Sequence, residues 1–238
     1  MVSKIILTAS GGGHTGYAVS LAQRLYGRVE MLFIIPKNDI WSRLKVERYG
    51  KVLEITKGRG PRDPILKFTF RFAKAWLESV RKVTKDYELL VSTGSNHSVP
   101  PAFIAKIKGV KIVNIESSVR FLKPSRTAKL LSRISDLTVL QWKEQKRILP
   151  EGKVYGPLYE KPEYEPWDGD YIFVTGGTYG HKSLFDALLK TRYKNVVLQT
   201  GRIDPEPYKV KRADWKIFTF DPDIGNCLLY TSDAADEL

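Results

Sequence analysis

The amino-acid sequence predicts an α/β fold whose first part is a doubly wound parallel sheet. Short apolar, β-branched runs alternate with stretches of helical periodicity through residues 1–155, which is the pattern of strands joined by crossover helices. A strand followed by a glycine turn occurs at residues 4–13 and again at residues 171–177. The 238 residues, 42% of them hydrophobic, suffice for one large domain or two small ones.

The composition argues against several classes of protein. No run of about 18 apolar residues is present, so we expect no membrane-spanning helix. The first residues lack the apolar stretch of a signal peptide, so we expect a cytoplasmic protein. The single cysteine, Cys227, excludes a disulfide framework and a cysteine-rich metal site, and we predict neither a metal nor a cofactor.

The net charge of +13 is unevenly distributed along the chain. Residues 1–155 contain 29 Lys and Arg against 12 Asp and Glu, whereas residues 156–238 contain 10 against 14. A basic first part is typical of proteins that bind a phosphorylated ligand, a polyanion or an anionic membrane surface. A solvated lysine-rich surface has the same composition, so charge alone leaves these alternatives open.

The first predicted strand, KIILT, and the turn after it organise the chain. The strand is followed by three glycines, Gly11, Gly12 and Gly13. His14 stands at the mouth of the turn, and Thr15 is predicted to cap the next helix. Because glycines let a diphosphate approach the backbone N–H groups of a helix N-terminus, this turn is predicted to bind a phosphorylated ligand.

Further short apolar runs predict strands at residues 29–35, 52–55, 89–93, 111–115, 137–140 and 154–157. Helices are predicted at residues 65–87, 102–108, 129–134 and 141–149, with irregular segments at 37–50 and 57–64. The helix at 65–87 combines an apolar stripe with surrounding Lys and Arg. Such a helix packs on the sheet as a crossover, and its extra aromatic residues also fit a helix lying on anionic lipid.

Polar side chains follow two of these strands at the carboxyl edge of the predicted sheet, where ligands bind in open α/β folds. Asn96 and His97 follow one strand, and Glu116 and Arg120 follow the next. Glu116 fits a site carboxylate, a helix cap or an ion pair with Arg120.

The three histidines of the chain, His14, His97 and His181, all lie in loops after predicted strands. A single loop histidine or a single glycine turn is weak support for a site. Three histidines in matching places favour a phosphorylated ligand held in a cleft.

Residues 158–170 are rich in proline and acidic residues and are predicted to link an N-terminal domain of residues 1–157 to a second unit at residues 171–226. That unit repeats the strand, glycine turn and helix, with further strands at residues 195–199 and 215–220 and a loop at 201–207. Residues 227–238 have no continuity with what precedes them and are expected to be a non-native tail.

Several segments together resemble one protein family. GGGHTGYAVSLAQRL, STGSNHSVPPA, VNIESSVR, LSRISDLTVLQW and VYGPL are similar to the membrane-recruiting subunit of the eukaryotic enzyme that adds the second GlcNAc to dolichyl-diphosphate-GlcNAc. YIFVTGGTYGHKSLFDAL and NVVLQTG resemble the opening of its catalytic subunit, with a VTxGT signature. The resemblance covers nearly all of residues 4–224, as a fusion of both halves, and extends to the family 28 glycosyltransferases.

This resemblance implies a GT-B fold, with a lipid-linked acceptor on the N-terminal domain and the nucleotide sugar on the C-terminal one. It implies inverting, metal-independent transfer of GlcNAc from UDP-GlcNAc to a polyprenyl-diphosphate-linked sugar, at the cytoplasmic face of a membrane. Together with their positions, it places His14 either at the reacting hydroxyl, as the catalytic base, or at the acceptor diphosphate, with Glu116 as the alternative base.

The same reasoning assigns the remaining candidate site residues to two groups. The acceptor and its diphosphate are expected at Gly11, Gly12, Gly13, Thr15, Asn96, His97 and Arg120. The donor is expected at Gly176, Gly177, Thr178 and His181. The family's main donor-binding segment would follow residue 224, so we expect turnover to need further residues or a second chain.

The alternative is a non-catalytic membrane-recruiting subunit that binds a separate catalytic chain. Its attachment to an anionic membrane would rest on the basic surface and residues 65–87. An NAD-dependent oxidoreductase is disfavoured, because no acidic residue ends the second strand to hold a ribose. No lysine completes a P-loop, and no nucleic-acid partner is predicted.

Overall fold

The computed structural model describes residues 3–58, 65–162 and 170–221, with side chains from Thr69 onward in the helix that begins at Ile65. The chain divides into two compact units, residues 1–160 and 161–238. The first contains a seven-stranded sheet and the second a three-stranded sheet. Most of the basic loop at 57–64, most of the proposed linker at 158–170 and the tail at 227–238 lie outside the described residues.

The strands of the first unit are β1 Lys4–Thr8, β2 Glu30–Pro36, β3 Lys51–Ile55, β4 Leu89–Ser92, β5 Lys111–Ile115, β6 Leu137–Leu140 and β7 Lys153–Val154. Its helices are α1 Gly12–Leu25, α2 Ile40–Val46, α3 Ile65–Lys82, α4 Val99–Ile107 and α5 Arg126–Leu131. Short 3₁₀ turns lie at Asn96–Ser98 and Lys143–Arg147.

The seven strands pair in the order β3-β2-β1-β4-β5-β6-β7, and every pairing is parallel. The predicted doubly wound sheet is therefore confirmed. The chain first builds outward from β1 to β3 and then crosses to β4 on the other side of β1. This reversal lies between β1 and β4, and the crevice outside the carboxyl ends of such a pair is where open α/β sheets bind ligands.

Core residues lie on both faces of the first sheet, which explains why its central strands carry apolar residues at successive rather than alternate positions. In β1, Ile6 faces a core layer that includes α3 and α4, while Ile5 and Leu7 face the layer formed with α1. The alternation follows from the two-residue period of a strand. Phe33 of β2 is completely buried against α1, and deleting such a side chain typically costs about 3–5 kcal/mol.

The structure differs from the predicted secondary structure in three segments. Residues 37–50 are not irregular, because Asp39 accepts a hydrogen bond from the backbone N–H of Ser42 and caps α2. Helix α3 ends at Lys82 rather than near residue 87. The helix predicted at 141–149 is only a 3₁₀ turn, since the side chain of Gln145 folds back to the backbone of Gln141.

Helix α3 presents two different faces. Ala75 and Trp76 pack on the sheet together with Val83, which lies just beyond the helix end, as the crossover interpretation predicts. Val80, whose position in the sequence belongs to the apolar stripe of this helix, is 48% exposed on the same side as Phe70 and Leu77. Among the described helices, none is both long enough and apolar enough to cross a bilayer.

The second unit has a parallel sheet in the order β10-β9-β8, formed by β8 Ile172–Thr175, β9 Val196–Gln199 and β10 Lys216–Phe218. Helices α6 Lys182–Leu188 and α7 Glu206–Lys211 connect these strands. Helix α7 overlaps the end of the loop predicted at 201–207. The core of the unit lies around Phe185, Leu198 and Tyr208.

Candidate functional site

The carboxyl ends of β1 and β4 are tied together by a buried network of hydroxyl groups. Thr93 donates its side-chain hydroxyl to the backbone oxygen of Thr8 at 2.8 Å, and its backbone N–H donates to the Thr8 hydroxyl at 3.2 Å. The Thr8 hydroxyl also contacts that of Ser98 at 2.7 Å. This network fixes the loops after β1 and β4 at the crevice where the strand order reverses.

His14 bridges those two loops. Its Nδ1 lies 2.6 Å from the backbone oxygen of Thr93. A carbonyl oxygen can only accept, so Nδ1 carries the proton and the neutral ring keeps a lone pair on Nε2. Gly94 lies beside the ring, and it has a φ of +93° and would place a Cβ only 3.0 Å from the backbone oxygen of Ile115, so the loop requires a glycine there.

The surroundings of His14 favour its neutral form. Burial lowers the pKa of His14 below the ordinary 6.5, and the hydrogen bond to Thr93 partly offsets this effect. The positive charges of Lys57 and Arg120 lower the pKa further. An imidazole that is neutral at physiological pH, with a lone pair on Nε2, is suited to accept a proton from a hydroxyl group.

The glycine turn is held in place by a network from α2 that the sequence did not reveal. The backbone N–H of Gly11 donates to the Ser42 hydroxyl at 2.9 Å, and that hydroxyl donates to Asp39 at 2.7 Å. Thr15, predicted as a helix cap, lies inside α1 and contacts the same hydroxyl at 2.8 Å. Gly11 and Gly12 have φ of +58° and +53°, which other residues rarely adopt.

Gly13 differs from its neighbours because the fold does not require a glycine there. Its φ is not in the left-handed region, and in the described part of the chain no heavy atom beyond its chain neighbours and the backbone of its own helix lies within 4 Å of the Cβ it would carry. Gly12 and Gly13 are both exposed. The N–H groups of the first helical turn have no intrahelical partner, so this N-terminus is open to an anion.

Glu116 does not have the geometry of a catalytic base. It is completely buried, and each carboxylate oxygen accepts a backbone N–H: from Ser117 at 2.8 Å and from Ser125 at 2.8 Å. Ser125 is itself the N-cap of α5. Both oxygens are therefore engaged in shaping the loop from Ser117 to Ser125, and Ser125 rather than Glu116 caps the helix.

Tyr17 and two glutamines, which were not among the residues predicted from the sequence, complete the support of this loop. The Tyr17 hydroxyl accepts the N–H of Ser118 at 3.0 Å, and its ring lies edge-on to His14 with centroids 6.4 Å apart. Gln145 donates to the backbone oxygen of Ser117 at 2.7 Å. Gln141 donates to the backbone oxygen of Glu116 at 2.8 Å. The sequence offered one signal for this support, the two glutamines spaced four residues apart in QWKEQ.

The other residues suggested for the acceptor site are only partly brought together. Arg120 is exposed and close enough to His14 to affect its pKa, and Asn96 is exposed in the loop after β4. His97 is only 1% exposed and lies in the interior, so it does not reach a ligand at the surface. In loops, unlike helices and strands, no periodicity in the sequence shows which of two adjacent side chains points inward.

The buried His97 predicts a pH-dependent stability. Burial, assisted by the charge of Lys57, lowers the pKa of His97 to about 3. The unfolded chain, with an ordinary pKa of 6.5, therefore binds a proton first as the pH falls. This contribution to stability is complete above pH 6.5 and declines by about 1.4 kcal/mol per pH unit below it, towards pH 3.

We expect a His97→Gln variant to lose about 2 kcal/mol less stability than the unmodified protein between pH 7 and pH 5. Denaturant unfolding of both proteins at the two pH values measures this difference. Equal losses of stability in both proteins would show that His97 does not remain neutral in the folded state.

In the second unit, packing within the unit accounts for the glycine turn. A Cβ on Gly176 would lie 2.4 Å from the backbone N of His181, and one on Gly180 would lie 2.3 Å from the backbone oxygen of Thr200. The backbone oxygen of Thr178 accepts the N–H of Arg202 at 3.1 Å. The exposed His181 accepts the N–H of Leu184 at 3.2 Å through Nδ1 and caps α6. The donor contacts of Gly176, Gly177, Thr178 and His181 stay predictions.

Comparison with known proteins identifies the family of the first unit. Residues 4–158 match the family model described as "Oligosaccharide biosynthesis protein Alg14 like". The chain belongs to this family. The match includes β1 to β7, His14 with the glycine turn, and the loop that Glu116 supports.

Two curated relatives carry a more specific description. Both are UDP-N-acetylglucosamine--N-acetylmuramyl-(pentapeptide) pyrophosphoryl-undecaprenol N-acetylglucosamine transferases. The one from Myxococcus xanthus (strain DK1622) is 26% identical over 89% of this chain and 61% of its own length. The one from Prochlorococcus marinus (strain MIT 9211) is 26% identical over 78% of this chain and 55% of its own length. The chain thus spans less than two thirds of either relative.

Solved structures confirm the GT-B type of fold. MurG of Acinetobacter baumannii matches with a TM-score of 0.56 and 16% identity, over 95% of this chain and 70% of that one. Anabaena Alr3699/HepE, solved in complex with UDP-glucose, matches with a TM-score of 0.58 and 16% identity, over 94% of this chain and 71% of that one. The expected fold class, α/β with GT-B character, is therefore correct.

Proposed function

We propose that this chain is the acceptor-binding half, with the beginning of the donor-binding half, of an inverting glycosyltransferase. Its reaction would transfer GlcNAc from UDP-GlcNAc to a sugar linked to a polyprenyl diphosphate such as dolichyl diphosphate. The observation that carries the proposal is His14, neutral and with Nε2 free of the Thr93 bond, beside an open helix N-terminus. The two curated relatives are named for the same transfer onto an undecaprenol-linked acceptor.

His14 would act as the general base in this reaction. Nε2 takes the proton from the acceptor hydroxyl, and the hydroxyl oxygen attacks the anomeric carbon of GlcNAc from the side opposite UDP. The bond from that carbon to the UDP oxygen breaks, UDP leaves with the electron pair, and the configuration inverts. The proton taken from the acceptor hydroxyl stays on His14 until solvent removes it. Atoms and charge therefore balance in this step without a metal.

The glycine turn would hold the diphosphate of the lipid acceptor. The N-terminus of α1 carries partial positive charge, and the exposed N–H groups of Gly12 and Gly13 lie at that end. Arg120 adds a cation within electrostatic range of His14. The glycine turn follows β1 and Arg120 follows β5, so these groups flank the carboxyl end of β4, where the acceptor hydroxyl and its diphosphate would lie.

A non-catalytic recruiting subunit is the second candidate function. It is favoured because the family match covers residues 4–158, which is the first unit without the second. Under this hypothesis the basic first unit attaches to the cytoplasmic face of a membrane, and another chain provides the UDP-GlcNAc site.

Release of UDP in the presence of a lipid-linked GlcNAc acceptor distinguishes these functions. The assay compares this chain alone, a form extended beyond residue 224, and this chain mixed with a separately produced donor domain. UDP release by the extended form without any added domain supports an enzyme whose acceptor and donor sites lie in one chain. Activity that appears only in the mixture supports the recruiting subunit, and no UDP release in any arm contradicts both.

Gly13 provides a test of acceptor binding that is separate from folding. In a Gly13→Ala variant, the free space around the Cβ and the better helix propensity of alanine should leave stability unchanged or raise it by up to about 1 kcal/mol. The same methyl group would obstruct a diphosphate, so we expect the acceptor KM to rise about 10-fold, equivalent to about 1.4 kcal/mol. Thermal unfolding and acceptor titration measure the two effects. An unchanged acceptor KM would remove the diphosphate from this turn.

A further inference from the structure

The loop between β5 and α5 exposes an apolar tip. Val119 is 77% exposed, Phe121 45% and Leu122 92%. Singly exposed apolar side chains are common on soluble proteins, but three within four residues form a patch. Such a patch usually marks a surface that contacts another molecule or a membrane.

Cations surround this tip without any acidic residue between them. Arg120, Lys123 and Arg126 are all exposed, and residues 117–130 contain no Asp or Glu. An apolar tip with a cationic border matches the interface of an anionic bilayer, where acyl chains lie beneath phosphate groups. Each Lys or Arg close to such a surface strengthens its attraction to the bilayer.

The tip is held from inside rather than loosely exposed. The buried carboxylate of Glu116 binds the N–H groups of Ser117 and Ser125, at the two ends of the loop. Gln145 donates to the backbone oxygen of Arg120 at 3.1 Å. A loop that is already ordered loses little conformational entropy when it binds, so its apolar surface contributes more fully to affinity.

We infer that this tip loop, residues 117–125, inserts into the surface of an anionic bilayer. Val119, Phe121 and Leu122 enter the boundary of the acyl chains, and Arg120, Lys123 and Arg126 contact lipid phosphates.

The tip loop is also connected to the candidate site. Ser118, next to the tip, is hydrogen-bonded to Tyr17, whose ring lies edge-on to that of His14. The inference rests on the proposed function in one respect. If the acceptor is a membrane-borne diphosphate, docking through this loop brings it close to the glycine turn.

Binding to vesicles tests the tip loop without any substrate. The unmodified chain is sedimented with vesicles of phosphatidylcholine, with or without phosphatidylglycerol, and compared with a Leu122→Glu variant. We expect binding only to the anionic vesicles, and a loss of about 10-fold or more in partitioning for Leu122→Glu. Ile107→Glu is the matched control, because Ile107 is 76% exposed at the C-terminal end of α4, on the opposite edge of the sheet.

A second variant measures penetration directly. In Leu122→Trp, fluorescence should be quenched by brominated lipid beyond the background of the native tryptophans, whereas Ile107→Trp should not be quenched. Quenching requires contact with acyl chains, so an acidic protein partner would not produce it. Equal binding of Leu122→Glu and Ile107→Glu, or no extra quenching at position 122, overturns the inference.

Helix α3 is the competing membrane surface, since Phe70 and Leu77 are 75% and 61% exposed. A loss of vesicle binding in Leu77→Glu but not in Leu122→Glu would assign the contact to α3 and overturn the inference for the loop. Vesicle binding through the tip loop together with no UDP release in any arm of the transfer assay would contradict the proposed function alone. GlcNAc transfer without vesicle binding that depends on the tip loop would contradict the inference about the loop and leave the proposed function intact.

Discussion

Replacing His14 with alanine is expected to lower the rate of GlcNAc transfer about 10²- to 10⁴-fold while the protein remains folded. The loss follows from the removal of Nε2, the atom proposed to take the proton of the acceptor hydroxyl. His14 is only half-buried, and its hydrogen bond to Thr93 is a small part of the network joining β1 to β4. UDP release, measured under the conditions that give activity to the unmodified chain, checks the prediction.

His14→Asn is the matched variant for this test. An asparagine amide can donate to the backbone oxygen of Thr93 as Nδ1 does, but it has no group in the place of Nε2. If His14 is the base, both variants lose activity to a similar extent; if it only positions the loops, His14→Asn retains most of it.

The pH dependence provides an independent readout of the same residue. Because burial and nearby cations lower the pKa of His14 from 6.5, the acidic limb of the rate profile should lie below pH 6.5. Protonation removes the base, so the rate rises with pH through this limb and levels above it. Near-normal activity of His14→Asn with an unchanged acidic limb would exclude His14 from the proton transfer.

The sequence predicted the parts of the fold that depend on long apolar runs. Apart from their exposed first residues, β1, β2 and β5 are largely buried, and each contains consecutive apolar residues, which requires helices on both sides of the sheet. The place of His14 also followed from the sequence, since a glycine turn after a central strand lies at the carboxyl edge. These inferences depend on local patterns that tertiary packing did not override.

The parts that sequence reasoning missed depend on side chains meeting across the fold. Ser42 and Asp39 are about 30 residues from Gly11 in sequence, and nothing in WSRLKV indicates that a hydroxyl there would hold the glycine turn. Likewise, no periodicity in the sequence shows that the side chain of His97 points inward and that of Asn96 points outward. Glu116 was identified as important, but its chemistry depends on partners that only the folded loop supplies.

Glu116→Gln is expected to lower the free energy of unfolding by about 2–4 kcal/mol, because the change preserves shape but replaces one acceptor oxygen by an NH₂ donor. That NH₂ group would face the N–H of Ser117 or Ser125, and a partly buried N–H would lose its partner. Chemical denaturation should show a lower midpoint. Glu144→Gln, the same change at an exposed position outside this network, should alter stability by no more than about 0.5 kcal/mol.

Measured together, stability and activity separate a structural Glu116 from a catalytic one. A loop carboxylate predicts that Glu116→Gln loses stability and vesicle binding, with a moderate fall in transfer because Ser118 and Tyr17 shift together. A catalytic base predicts the reverse: normal stability with a loss of transfer as large as that of His14→Ala. The second pattern would contradict the geometry of a carboxylate whose two oxygens each hold one end of the loop, and it would return Glu116 to the proton-transfer step in place of His14.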